Sequence, residues 1–341
     1  MKMVRLGRSE LMVTKTAMGC LPIQRCTTDD AVAIIRRAYE GGINFFDTAN
    51  AYTDSEHKLG LALQGVRERV VISTKSGGKD YDTILSHIEN SLRELQTDYI
   101  DLFQFHMVTE MPDFGDPNGI YAAAEEAKRR GWIRHIGVTT HRIELAFELI
   151  ESGKFETMQF PFSYISHTRD MELVQRCREL DVGFIAMKGL AGGILSNARA
   201  CHAFMAEHEN VAPIWGVQTM EQMEEWLRVA EEDPALDEEL RSVIEKDRKE
   251  LGANFCRGCG YCLPCPEGIE IFNAARMDMF LRRSVWQNYV TDEWYEKMHR
   301  IENCRHCGLC ASRCPYGLDT PALLEYMLKD YDQFYNDHKK K

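Results

Sequence analysis

Apolar and polar positions follow two alternating patterns from about Val13 to about Glu232. Short apolar runs recur, and longer stretches between them repeat apolar residues every three or four positions. The runs are VTKTAMG, INFFDTA, VVISTKS, IDLFQFHM, IRHIGVTT, TMQFPFS, VGFIAMKG and APIWGVQ. The stretch DDAVAIIRRAYEGG has helical spacing and ends at Gly41 and Gly42. Eight strand and helix pairs predict an α/β fold, a (β/α)8 TIM barrel.

A doubly wound open sheet is the alternative arrangement of the same elements. No strand near the start of the sequence leads into a GxGxxG turn, which a dinucleotide-binding fold of that kind would need. Ahead of the first barrel strand, VRLGRSELMV has the pattern of a hairpin around Gly7. We expect this hairpin to close the floor of the barrel.

The pattern changes after residue 232. The segment PALDEELRSVIEKDRKEL, residues 234–251, is charged and helical. Residues 269–301 mix helix formers with aromatic residues and lack the two-residue alternation of strands. The sequence therefore predicts a barrel over residues 1–232, a helical connector over 233–253 and a smaller, mainly α-helical domain over 254–341.

Composition narrows the environment and the partners. The chain has 341 residues, of which 44% are hydrophobic, and no apolar run approaches the roughly 18 residues of a membrane span. The first residues, MKMVRLGRSELMV, lack the continuous apolar core of a signal peptide. A net charge of −12 opposes binding to a phosphate backbone. These features predict a cytoplasmic protein with neither a membrane nor a nucleic acid as partner.

Eight of the twelve cysteines lie between Cys256 and Cys314, in the segments CRGCGYCLPCPEGI and CRHCGLCASRCP. The second segment has the C-x2-C-x2-C-x3-C-P spacing of bacterial ferredoxins, and the first is one residue shorter in its last gap. The two segments predict two [4Fe–4S] clusters. Zinc is the alternative, since it also accepts four thiolates from CxxC pairs.

This cysteine region resembles the helical two-cluster ferredoxin domains of larger redox enzymes. In two-cluster ferredoxins the fourth cysteine of each run crosses to the other cluster. The resemblance therefore implies two crossed ligand sets. They are Cys256, Cys259, Cys262 and Cys314 for one cluster, and Cys304, Cys307, Cys310 and Cys265 for the other.

Four residues with complementary chemistry stand where three successive barrel strands end, in FFDTANAY, STKS and QFHM. Barrel enzymes place reactive groups there, so Asp47, Tyr52, Lys75 and His106 are expected to converge at one mouth. A neighbouring ammonium lowers the pKa of a tyrosine, and we expect Lys75 to bring the pKa of Tyr52 toward neutrality. Asp47 would hold Lys75, and His106 would orient a substrate oxygen.

With FDTANAY, STK and the histidine after the fourth strand, the chain resembles the aldo-keto reductases over about Val4 to Glu232. The resemblance implies that Tyr52 protonates a carbonyl oxygen while a nicotinamide delivers hydride to the carbon. It also implies a set of cofactor-binding positions. They are Thr139, Thr140, Gln159, Met187, Gly216 and Gln222. Independently, the glycine-rich turn GLAGG could approach a phosphate, which adds Gly189 and the neighbouring Lys188, and Gly19 at the end of the first strand is expected at the same mouth.

Several of these positions depart from the family pattern. Thr139 and Thr140 replace the usual Ser-Asn, and Met187 replaces a tyrosine that stacks under the nicotinamide. Near the eighth strand, WGVQTMEQMEEWL aligns with the family's adenine-phosphate segment but has Gly216 and Gln222 where Lys and Arg often stand, and Trp226 where Asn is usual. The main cationic contacts for an NADP 2′-phosphate are therefore missing from the sequence.

Three hypotheses follow for the function. In the first, an oxidoreductase interconverts a small carbonyl compound and an alcohol, and its two clusters connect the barrel to an electron carrier such as ferredoxin, through a flavin or a radical step. In the second, an NAD(P)H-dependent carbonyl reductase has clusters that are structural or redox-sensing. In the third, the chain is an electron-transfer or docking subunit with an inactive barrel.

Overall fold

The structure is a computed structural model that describes residues 1–251, 255–283 and 285–339. The chain divides into two compact units. The first comprises Met1–Gly189 and Asn197–Ser242, and the second Leu190–Ser196 and Val243–Lys341. The first unit thus extends past the predicted end at residue 232, and the short segment after the seventh barrel strand, Leu190–Ser196, belongs to the second unit. The predicted boundary between residues 253 and 254 lies outside the described residues.

A hairpin and a closed parallel barrel form the first unit. Strands β1 (Met3–Arg5) and β2 (Met12–Thr14) pair antiparallel. The barrel strands are β3 (Ala17–Gly19), β4 (Phe45–Asp47), β5 (Val71–Ser76), β6 (Ile100–Phe105), β7 (Ile133–Thr139), β8 (Thr157–Pro161), β9 (Gly183–Met187) and β10 (Val211–Gly216). They pair in chain order, and β10 closes on β3. The predicted TIM barrel is confirmed, and the open sheet is excluded.

The hairpin accounts for a difference at the first barrel strand. The apolar run VTKTAMG was expected to be one strand, but Val13 and Thr14 belong to β2, and β3 begins at Ala17. The buried residue Val13 packs in one apolar cluster with Phe45, which begins β4. The turn needs glycine, since Gly7 has a φ of +53° and a Cβ there would lie 2.3 Å from the amide nitrogen of Gly183.

The helices of the first unit follow the strands and bury apolar faces. They are α1 (Thr28–Glu40), α2 (Ser55–Ala62), α3 (Tyr81–Glu94), α4 (Ile120–Arg129), α5 (Ile143–Glu151), α6 (Thr168–Glu179), α7 (Ala198–Ala206) and α8 (Met220–Glu232). In α1 the side chain of Thr27 caps the first turn by accepting from the amide of Asp30 at 3.2 Å. Ile34 and Ile35 lie on its buried face, as three- and four-residue spacing predicts.

Helices and turns make up the second unit in the described ranges. Its helices are α9 (Glu238–Leu251), which begins in the first unit, α10 (Ile271–Ala274), α11 (Met277–Arg283), α12 (Asp292–His299), α13 (Leu309–Ser312) and α14 (Thr320–His338). Met277, Met298 and Tyr331 are buried in its core. The hydroxyl of Tyr331 donates to the carbonyl of Tyr289 at 2.8 Å. The predicted mainly helical character is confirmed.

Among the described residues, no helix is both long enough and apolar enough to cross a membrane.

Candidate active site and candidate cluster sites

Strand ends position the four predicted catalytic side chains. Asp47 is the last residue of β4, Lys75 is the penultimate residue of β5, and His106 directly follows β6. Tyr52 lies in the loop between β4 and α2. The loop is fixed to the barrel because the amide of Asn50 donates to the carbonyl of Lys75 at 3.0 Å. All four residues therefore belong to the carboxyl-terminal mouth of the barrel, where such enzymes react.

Lys75 and Asp47 form a buried ion pair. The Lys75 Nζ lies 2.6 Å from Asp47 Oδ2 and donates to the carbonyl of Thr48 at 2.5 Å. Both side chains are almost fully buried. Burial alone would lower the pKa of Lys75, but Asp47 and Tyr52 outweigh it, and the net pKa is raised. A charged ammonium therefore remains at neutral pH, with its Nζ 5.4 Å from the centre of the Tyr52 ring.

The pKa of Tyr52 shifts in the direction opposite to our expectation. Burial raises the pKa of Tyr52, the ammonium of Lys75 opposes that rise, and Asp47 adds to it. The net result is a raised pKa, so the expected lowering toward neutrality is wrong for the protein without substrate. The phenol is protonated at neutral pH. This state suits a proton donor to a carbonyl oxygen better than a proton acceptor.

His106 is a neutral imidazole in this site. Burial and the nearby Lys75 lower the pKa of His106 to about 3. Its ring meets the ring of Tyr52 edge to face, with centroids 5.8 Å apart and planes at 78°. A neutral imidazole has one N–H donor. This N–H can donate a hydrogen bond to a substrate oxygen, while the Tyr52 phenol donates its own proton to the same oxygen.

The lowered pKa of His106 predicts an acid-sensitive contribution to stability. The unfolded chain takes up this proton near pH 6.5 and the folded chain near pH 3, so stability falls as pH drops through that range. The slope is at most about 1.4 kcal/mol per pH unit. His106→Gln should reduce the loss of unfolding free energy between pH 7 and pH 5, measured by urea titration under anaerobic conditions. An equal loss in both proteins would contradict the assignment.

A buried amide network lies beside the ion pair and includes two residues that we did not predict. Gln104 Nε2 lies 2.7 Å from Gln159 Oε1, 2.8 Å from Ser73 Oγ and 3.4 Å from Asp47 Oδ1. Gln159 in turn lies 3.4 Å from Asp47 Oδ2. Gln159, predicted as a cofactor contact, is therefore brought together with the catalytic residues. The one signal for Gln104 was an isolated polar residue in the apolar run IDLFQFHM.

Thr139 and Thr140 bind the loop that carries His106. The hydroxyl oxygen of Thr139 accepts from the amide of Met107 at 2.8 Å, and the hydroxyl of Thr140 donates to the carbonyl of Val108 at 2.9 Å. Met107 has a φ of +55°, so these bonds hold a conformation that most residues disfavour. Both hydroxyls thus have a positioning role besides the expected cofactor contact.

Two tryptophans stack at the segment that resembles the family's adenine-phosphate site. The rings of Trp215 and Trp226 have centroids 3.9 Å apart and planes at 12°, and both are nearly fully buried. Trp226 stands where the family usually has Asn. The Trp215 ring also abuts Gly189, where a Cβ would lie 2.5 Å from it. An aromatic ring thus stands at a position where the family usually has a polar side chain.

The remaining predicted cofactor positions are distributed over strand ends and α8. Gly19 ends β3, Met187 ends β9 and is followed by Lys188, Gly216 ends β10, and Gln222 lies in the first turn of α8. Lys188 has a φ of +58°. The side chain of Gln222 accepts from the amide of Gln218, just ahead of the helix, at 2.9 Å.

One recess of the second unit gathers four cysteines from both sequence segments. Its cysteines are Cys256, Cys259, Cys262 and Cys314. Gly258 and Gly260 separate the first three and have φ values of +61° and +84°, which let the chain wind tightly. The amide of Gly258 donates to the sulfur of Cys256 at 3.4 Å.

A second recess, of about 640 Å³, gathers Cys265, Cys304, Cys307 and Cys310, and Cys262 contributes to its wall as well. Each recess thus contains one of the two predicted crossed sets. In the described ranges, no three cysteine, histidine or carboxylate side chains converge closely enough to hold a single metal ion. The ligands of a four-iron cluster bind different irons and are spaced more widely. The thiol donor sets fit such clusters.

Two family models match the chain, one in the barrel and one in the cysteine region. The sequence model described as "Aldo/keto reductase family" matches residues 16–202. The model described as "4Fe-4S dicluster domain" matches residues 255–319. The second match resolves the choice between iron–sulfur clusters and zinc in favour of clusters.

Individual relatives match the barrel. The chain is 31% identical over 227 residues to the uncharacterized oxidoreductase YrpG of Bacillus subtilis, covering 57% of this chain and 68% of the relative. The holo form of aldo-keto reductase AKR11C1 from Bacillus halodurans is 26% identical, with a TM-score of 0.64 over 72% of this chain and 96% of that one.

A Klebsiella pneumoniae aldo-keto reductase in complex with NADPH is 23% identical, with a TM-score of 0.59 over 72% of this chain and 94% of that one, a likeness that concerns the fold. The family match spans more than half of the chain, and the barrel has the family's fold. This oxidoreductase therefore belongs to the aldo/keto reductase family and carries a 4Fe-4S dicluster domain after its barrel.

Proposed function

We propose that the protein interconverts a small carbonyl compound and its alcohol at the barrel mouth, with electrons relayed through two [4Fe–4S] clusters. The observation that carries the proposal is the state of the site. Tyr52 is a protonated phenol, His106 is a neutral donor, and Lys75 is a buried cation paired with Asp47. This arrangement suits the donation of a proton from Tyr52 to an electron-rich substrate oxygen.

Each residue has a separate task in the reduction. His106 donates a hydrogen bond to the carbonyl oxygen and orients it toward Tyr52, which gives that oxygen its proton. The phenolate left on Tyr52 is stabilised by the ammonium of Lys75, which Asp47 keeps charged and in place. The full reaction consumes two electrons and two protons, and the second proton, taken by the carbon, comes from water.

The clusters, when bound, supply electrons one at a time. Cys256, Cys259, Cys262 and Cys314 would hold one, and Cys265, Cys304, Cys307 and Cys310 the other. One feature of the chain supports a link to the barrel. The segment Leu190–Ser196 directly follows β9 and Gly189 and belongs to the cluster-bearing unit. A carrier such as a ferredoxin is the partner that this chemistry requires.

An electron source other than a nicotinamide is favoured by the nucleotide segment. Trp226, stacked on Trp215, stands there in place of a polar Asn, and Gly216 and Gln222 offer no cation to a 2′-phosphate. The second candidate, an NAD(P)H-dependent reductase with structural clusters, is favoured by the fold it shares with the Klebsiella pneumoniae reductase in complex with NADPH.

One anaerobic assay separates the candidates. Benzaldehyde is incubated with the cluster-loaded protein and a small ferredoxin, reduced by dithionite and then freed of it, and benzyl alcohol is measured by chromatography. The proposal expects alcohol without any nucleotide, and none from NADH or NADPH alone. The reverse result supports the second candidate. Parallel samples contain FMN, because a flavin collects single electrons and passes them as a pair.

A further inference from the structure

The charges beside the two cysteine recesses differ. Arg276 is a buried cation next to the first recess, where its guanidinium carbon lies 2.8 Å from the position that a Cβ on Gly258 would occupy. Gly258 is the residue whose amide binds the sulfur of Cys256. The Arg276 Nε donates to the carbonyl of Phe272 at 2.9 Å, which fixes the side chain.

Electrostatic contacts of Arg276 point toward the same cysteines. Cys256 and Cys259 are among the groups whose charges interact with the guanidinium of Arg276. A guanidinium stays protonated in proteins even when it is buried. A permanent positive charge therefore lies beside the first recess.

At the second recess the flanking charges largely cancel. Arg305 and Glu267 both line it, and they pair with each other at 2.7 Å. The Arg305 side chain is 76% exposed, so solvent screens its charge further. Cys307, one of the cysteines there, is itself exposed. The second recess is thus the more accessible and the more nearly neutral of the two.

We propose that Arg276 raises the reduction potential of the first cluster above that of the second, so that electrons received at the exposed second cluster come to rest on the first. The proposal rests on the cluster ligand sets given under the proposed function. Reduction adds one negative charge to a cluster, and a nearby fixed cation stabilises the reduced form more than the oxidised one.

The step is a transfer of one electron without bond making. The reduced second cluster returns to its oxidised state as the first cluster becomes reduced, and the external one-electron carrier then reduces the second cluster again. Cys262, which contributes to the walls of both recesses, places the two sites next to each other. No proton or further reactant is needed for the balance.

A second glycine packs closely against Arg276. A Cβ on Gly192 would lie 2.6 Å from the Arg276 Nη1, so only glycine lets this backbone approach the guanidinium so closely. Gly192 belongs to Leu190–Ser196, the segment that continues from β9. The cation therefore lies between the loop of the first recess and the segment Leu190–Ser196 of the same unit.

An EPR-monitored redox titration of the anaerobically purified protein tests the proposal. The native protein should show two separable one-electron potentials. Arg276→Gln should lower the higher potential alone, by about 59 mV, which is a tenfold change in the equilibrium constant for the transfer. Arg276→Lys, which keeps the charge, should retain most of the separation. Arg305→Gln is the matched control, and it should leave the higher potential unchanged.

Iron and sulfide counts precede each titration and separate two kinds of failure. A native protein without two clusters defeats the proposed function itself. Two clusters with one common potential overturn only the role of Arg276, as does an Arg276→Gln protein with unchanged potentials. If Arg276→Gln loses iron, Arg276→Met, which keeps an unbranched apolar stem, replaces it in the same titration.

Discussion

Tyr52→Phe should lower the rate of carbonyl reduction by about 10²–10⁴-fold, the usual contribution of a positioned general acid. The change removes one hydroxyl and leaves the ring that meets His106 edge to face. Binding of the carbonyl compound should change little, because the His106 N–H remains available. The measurement is benzyl alcohol formation in the anaerobic ferredoxin assay, with the rate and the apparent KM determined separately.

Tyr39→Phe is the matched control for this variant. Tyr39 lies on α1, away from the strand ends that form the mouth, and its change should leave the rate unaffected. Both variants should retain the native iron content and EPR signals. If Tyr52→Phe reacts as fast as the native protein, the phenol is not the proton donor. If neither the native protein nor Tyr52→Phe forms benzyl alcohol, the hypothesis of a docking subunit with an inactive barrel gains support.

Most of the barrel was predictable because parallel strands buried on both faces are continuous apolar runs. Runs such as IDLFQFHM and VGFIAMKG mark β6 and β9 directly. The exception was VTKTAMG, where one apolar run covers the end of the hairpin and the start of β3. Only the pairing of Val13 with Val4 separates the two, and pairing is a long-range property.

The position of the catalytic residues was predictable, but their electrostatics were not. Order along the chain places Asp47, Lys75 and His106 at adjacent strand ends. The sequence does not show how deeply Tyr52 is buried, and burial decides the direction of its pKa. The same limit applies to Gln104. Its contact with Asp47 depends on how side chains pack in the interior of the barrel, which the sequence does not show.

The nucleotide segment shows a second limit. Alignment with the family pattern identified Trp226 as a departure, but not what that departure does. The stack with Trp215 depends on the spacing between β10 and α8, which the sequence does not give. The sequence therefore shows that a polar residue is lost, and not that a stacked pair takes its place.

Cys314→Ala should remove the cluster of the first cysteine segment rather than that of its own segment. Cys314 lies in the recess with Cys256, Cys259 and Cys262, although it follows Cys310 closely in sequence. The iron content should fall from about eight atoms per chain to about four. The remaining EPR signal should be that of the cluster held with Cys307.

Double variants test the assignment of cysteines to clusters by iron content alone, without any interpretation of the EPR signals. Cys259→Ala combined with Cys314→Ala should lose no more iron than either change alone, because both remove ligands of one cluster. Cys307→Ala combined with Cys314→Ala should lose nearly all iron. Cys177→Ala, at a buried thiol of α6, is the control and should keep the native content. If Cys307→Ala and Cys314→Ala together lost no more iron than either change alone, each cysteine run would instead hold its own cluster.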